Sequence, residues 1–150
     1  MKLAEALILR ADLQKRLEQL RQRLSANALM QEGEAPAENP EDLLQELERD
    51  TKELEVLFYR INLTNASVKR QEKTLTELLA QREVLALKIS ILRTTLETAS
   101  RKVIRGGHSE VKILSTLNVA ALQKQADEMS RALRILDTAI QEANWLTELL

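Results

Sequence analysis

Residues 119–143 read VAALQKQADEMSRALRILDTAIQEA, and their spacing decides the fold. Val119, Ala126, Leu133 and Ile140 recur every seven residues. Leu122, Met129, Leu136 and Ala143 recur the same way, offset by three. Residues three and four apart share a helix face, so the two rows merge into one apolar seam of coiled-coil type. A half-buried strand would need apolar side chains at alternate positions, and this stretch lacks them. Asn118, just ahead, carries the short amide that caps a helix N-terminus. The spacing predicts a helix over 119–147, and the chain closes with NWLTELL.

The same pattern runs backwards along the chain. Leu78, Leu85, Leu92 and Ala99 form one row, and Arg82, Ile89, Leu96 and Val103 form the other, with Arg82 its one charged member. TLTE at 74–77 reads as a capping box, in which Thr74 and Glu77 satisfy each other's backbone N–H groups. A helix is predicted over 75–105, stopped by Gly106 and Gly107. Asn39 as cap and Pro40 at the first helical position predict a helix over 40–64. Its stripe is Leu43, Leu47, Leu54, Leu57 and Ile61, broken once by Asp50. The pattern fades at NLTNASVKRQEK (62–73), where a connection is expected, with continuation of the helix to about Asn65 as the alternative. Leu13, Leu17, Leu20 and Leu24, extended back by Leu3 and Ala6, predict a first helix over 3–28. QEGEAPAENP (31–40), with Gly33, Pro36 and Pro40, marks an acidic loop over 30–39. VKILSTL (111–117) is rich in β-branched residues and is expected to be extended, with an early turn of the next helix as the alternative. The fold class is all-α: an elongated bundle of four long amphipathic helices, forming a single domain over 1–150.

Composition agrees. Leucine, alanine, glutamate, lysine, arginine and glutamine dominate, and these lose little rotamer freedom in a helix. The net charge of −1 gives no strong pull on nucleic acid or an acidic membrane. The charge is nonetheless segregated: +3 over 1–24, −8 over 25–57, +6 over 58–118 and −2 over 119–150. Alternating signs suit neighbouring helices that choose one another, within a chain or between copies. No cysteine is present, which excludes disulfides, thiolate metal sites and cysteine nucleophiles. No uncharged apolar run approaches the ~20 residues of a membrane span, and Glu5, Arg10 and Asp12 interrupt the N-terminal region, so no signal peptide is read. A soluble cytoplasmic protein is expected.

Few residues carry chemistry. One histidine cannot supply a zinc site or the paired Glu-x-x-His motifs of a di-iron bundle. Glu41, Asp42, Glu46, Glu48, Glu53 and Glu55 read as a solvated face rather than a magnesium site. No catalytic, cofactor-binding or metal residues are assigned. RGGHSEVK (105–112) is the candidate worth naming. It lacks the phosphate-loop spacing, and its glycines read first as a helix stop. Arg105, His108, Ser109, Glu110 and Lys112 remain a candidate anion site or subunit contact. Asn62 and Asn65 head glycosylation sequons, but read as residues of a helix end. Of the three aromatics, Phe58, Tyr59 and Trp145, the last is the candidate interface anchor.

The stretches MKLAEALILRADLQKRLEQLRQRL (1–24), STLNVAALQKQADE (115–128) and LDTAIQEANW (136–145) resemble a small family of uncharacterised bacterial helical proteins, some labelled septicolysin. RINLTNA (60–66) and TLTELLAQREVLALKISILR (74–93) are similar to it as well, so the resemblance spans essentially the whole chain. It implies a helical fold and carries over no catalytic residue. The label implies a cytolysin, yet membrane-surface helices show strongly basic polar faces, and these seams are ordinary leucine heptads. The expected function is therefore a non-enzymatic, self-associating helical bundle, a homo-oligomer without a nucleic-acid partner, with a membrane the less favoured partner. A septicolysin-like pore former and an anion-binding or enzymatic site at 105–112 are the alternatives.

Overall fold

The computed structural model describes residues 1–70, 72–101 and 113–150. Their order is α1 (Leu3–Ala26), α2 (Pro40–Ser67), β1 (Lys69–Arg70), β2 (Lys73–Thr74), α3 (Leu75–Ala99) and α4 (Val119–Leu146). The fold is all-α, with two two-residue strands among the described residues. The chain divides into two compact units, Met1–Leu75 with Gln141–Leu150, and Thr76–Ile140.

In the first unit α1 and α2 run antiparallel. Contacts pair early α1 with late α2: Arg10 lies over the Phe58 ring, Arg16 reaches Asp50, and Arg23 reaches Glu46. Leu3, Leu13, Leu20, Leu43, Leu57 and Ile61 are buried, as the leucine stripes predict. Each such side chain contributes about 1.5–3 kcal/mol relative to exposure. Asn39 caps α2, its Oδ1 accepting the Glu41 N–H at 3.1 Å. The loop between the helices turns at Gly33, whose φ of 85° favours glycine.

The C-terminal residues close this unit. Lys2 and Glu148 form an antiparallel bridge. The Leu3 N–H donates to the Thr147 carbonyl at 2.9 Å, and the Leu149 N–H to the Met1 carbonyl at 2.9 Å. The Leu150 N–H donates to the Thr64 hydroxyl at 3.0 Å, which itself donates to the Arg60 carbonyl at 2.8 Å. This contact corrects the expected end of α2. The helix runs to Ser67 rather than 64, because Thr64 is a buried partner of the tail. Asn62 thus lies inside the helix, and Asn65 lies in its last turn. The expected connection instead holds the β1–β2 hairpin, with Lys69 opposite Thr74 and Arg70 opposite Lys73. Glu72 takes a left-handed φ of 68° to make the turn.

In the second unit α3 and α4 are antiparallel. The Arg93 Nη2 donates to the Ser130 hydroxyl at 3.1 Å, and Arg82 Nη1 lies 3.8 Å from the Asp137 carboxylate. The charged break in the α3 seam therefore has an acidic neighbour. Ile89, Leu96, Ala126 and Ile140 are buried, and the other described members of the two predicted rows in this unit are half-buried. Asn118 caps α4 as expected, its Oδ1 accepting the Ala121 N–H at 3.1 Å.

Other helix ends also differ from expectation: α1 stops at Ala26 rather than 28. α3 ends at Ala99, not near 105. Thr94, Thr95 and Thr98 turn their hydroxyls onto the carbonyls of Ser90, Ile91 and Thr94, and such back-bonding weakens a helix end. The described part of the segment expected to be extended, 113–117, belongs to no helix or strand and bends at 116–117. The Ser115 hydroxyl accepts the Leu117 N–H at 3.3 Å, a local turn that competes with strand pairing.

Candidate functional site

Arg105, His108, Ser109, Glu110 and Lys112 lie outside the described residues. Trp145 sits in the last turn of α4 and is 53% exposed. That leaves two arrangements to weigh: the charged cluster between α1 and α2, and the outer face of α3.

The charged cluster is built on the heptad break at Asp50. Its side chain is 1% exposed. Arg16 Nη2 donates to Oδ2 at 2.8 Å, and Arg49 Nε donates to Oδ1 at 3.2 Å. Both carboxylate oxygens are thus occupied by guanidinium donors, which suits a structural ion pair better than a proton acceptor. The Arg16 guanidinium is held above its ordinary pKa, first by the hydrogen bond to Asp50 and then by its charge. A burial of this kind stabilises only when both partners stay in place.

Two helical turns on, Arg23 grips the end of the acidic loop. Its Nε and Nη2 donate to Glu38, the latter at 2.7 Å, and Nη1 donates to Glu46 at 3.3 Å. Asn27 adds to the clamp, donating to the Arg23 carbonyl and accepting the Glu38 N–H, each at 2.9 Å. The Arg23 hydrogen bond holds the Glu38 carboxyl below its ordinary 4.5, and the Arg23 charge adds to it. A carboxyl with a depressed folded pKa contributes stability above its unfolded value and loses it as pH falls through the folded one. Glu38→Gln is therefore expected to flatten the acid side of the stability profile, read as Tm from neutral pH downwards. The effect is modest, because the pair is partly exposed and screened by salt.

The outer face of α3 is of a different kind. The α3 seam runs through Leu85, Ile89, Leu92 and Leu96. Ala80, Val84, Leu87 and Ile91 form a second stripe, spaced four, three and four. At 3.6 residues per turn the stripe lies roughly 140° around the helix from the seam. Val84, Leu87 and Ile91 are 65%, 60% and 57% exposed. A shallow groove follows part of it, lined by Ala80, Gln81, Val84, Leu85 and Lys88. Glu83 borders the stripe on one side and Lys88 on the other, both exposed. Such a face offers no reaction chemistry. It offers apolar area with a defined charge at each edge, which is what a partner helix reads.

Sequence reasoning missed this stripe, although its spacing is written in VLALKI (84–89) and its flanks. It also read Asp50 only as a break, without the arginines that fill it. Among the described residues, no three His, Cys, Asp or Glu side chains are grouped to hold a metal ion. No described helix is long and apolar enough to cross a membrane.

Comparison with other proteins places these features in a wider group. A family model described as a family of unknown function (DUF6847) matches residues 10–149. The solved structure titled as a functionally unknown conserved protein from Corynebacterium diphtheriae is 37% identical. That match covers 100% of this chain and 99% of that one, with a TM-score of 0.90. No curated protein matches the chain.

Proposed function

The chain belongs to the family of unknown function DUF6847, and from that premise we propose that it is a non-enzymatic helical-bundle protein that associates with itself, in the cytoplasm. The observation that carries this reading is the second apolar face of α3. A helix that is apolar on two sides gains most when both sides are covered. Within the second unit the seam covers one side only, and Val84, Leu87 and Ile91 stay in water. Another copy of the chain brings an apolar surface of the same kind, and two-fold pairing is the commonest way for one surface to cover itself. The non-enzymatic part draws on the first unit. Arg16, Arg23, Glu38, Glu46 and Asp50 hold its two helices and its loop together. Trp145, half-exposed, is a second candidate anchor; its emission would shift to shorter wavelength if association covers it.

Thermal unfolding over a protein dilution series tests the reading. Mass action raises the Tm of an associating protein with concentration, so Tm is expected to fall on dilution. A Tm independent of concentration would count against association. The septicolysin label points to another occupant for the same apolar area, a lipid surface. Dye release from neutral and anionic vesicles separates the two: leakage favours the membrane-active alternative, and intact vesicles with a concentration-dependent Tm favour self-association.

A further inference from the structure

We propose that the Ala80, Val84, Leu87 and Ile91 face of α3 docks against the same face of a second copy, with the two helices parallel. This deepens the self-association reading and rests on it. The four residues fill two a and two d positions over twelve residues: Ala80 and Leu87 at d, Val84 and Ile91 at a. A β-branched residue at a with leucine at d is the pattern of two-stranded parallel coiled coils. Alanine at the other d position lets the backbones approach closely.

The edges carry the orientation. Glu83 precedes Val84 and takes position g; Lys88 follows Leu87 and takes position e. In a parallel pair, g of one helix lies beside e of the next heptad on the other. Glu83 therefore meets the partner's Lys88, and two-fold symmetry makes the contact twice. An antiparallel pair would set Glu83 against its own copy and Lys88 against its own copy, and both contacts repel. Among the described residues neither side chain has an ion-pair partner within the chain, so both are available. The remaining e and g positions along the stripe, Gln81, Ser90, Thr76 and Thr95, are uncharged and oppose neither register. A membrane surface fits less well, because one edge of the stripe is acidic. Beyond Ile91 the next stripe position is Thr94, and before Ala80 it is Glu77, so the contact is short and reversible.

The chain has no cysteine, so a single introduced one reports the register cleanly. In the parallel pair the two copies of residue 80 face each other, and Ala80→Cys is expected to form a disulfide-linked dimer with itself on mild oxidation. An antiparallel pair would instead need Ala80→Cys mixed with Ile91→Cys. Glu83→Lys is expected to weaken association about tenfold or more, and the double swap Glu83→Lys with Lys88→Glu to restore it. Glu83 is exposed, so far-UV circular dichroism should show each variant as helical as the parent. Cross-linking only in the mixed sample overturns the parallel register. An oligomer that ignores Glu83→Lys and fails to cross-link at residue 80 overturns this face and leaves self-association standing. A monomer at every concentration overturns both.

Discussion

Leu13→Ala lowers the free energy of unfolding by about 2–5 kcal/mol. Leu13 is fully buried in the α1 stripe, one helical turn before the Arg16–Asp50 pair. Truncation removes three carbons from the packing of α1 and leaves a cavity that the long antiparallel pair closes only in part. The same change at Leu17, which is half-buried, costs less. Chemical denaturation followed by far-UV circular dichroism checks both. The midpoint for Leu13→Ala is expected to fall with the slope unchanged, which marks a loss of stability rather than of compactness. A loss under about 1 kcal/mol would mean that the α1 stripe is not a core.

Removal of residues 147–150 is the second large effect, at about 3 kcal/mol or more. The buried Leu149 side chain is lost from the unit, and Met1 and Thr64 lose their partners in the tail. The Leu3 N–H also loses its carbonyl acceptor on Thr147. Limited proteolysis alongside denaturation reads the result, with earlier cleavage at the start of α1 expected. Thr64→Val separates the contributions. It keeps the side-chain volume but leaves the Leu150 N–H without its hydroxyl acceptor, and is expected to cost about 1 kcal/mol. If the truncated chain unfolds at the midpoint of the intact one, the closing contact contributes nothing.

The helices were legible because burial repeats along them. The rows read from 119–143 and 78–99 are the positions that are buried or half-buried, and the caps at Asn39 and Asn118 rest on local chemistry alone. What escaped depends on distant partners or on weak local competition. The extension of α2 to Ser67 reflects Thr64 meeting Leu150, 86 residues away. The hairpin at 69–74 has two charged or polar residues per strand and no alternation to reveal it. The end of α3 turned on three threonines, while the glycines further on drew the prediction past it. Asp50 looked like a flaw in the stripe because its partner Arg16 lies on another helix. The outer stripe of α3 was legible in principle. It was passed over because one seam per helix is the usual expectation, and α3 carries two. Of the candidate residues at 105–112, none lies among the described residues, and Trp145 is half-exposed at the end of α4.

Sedimentation equilibrium of the unmodified chain over a wide concentration range tests self-association most directly. The expected mass rises from 17.1 kDa on dilution towards twice that value at high concentration. A mass that stays at 17.1 kDa throughout would contradict it.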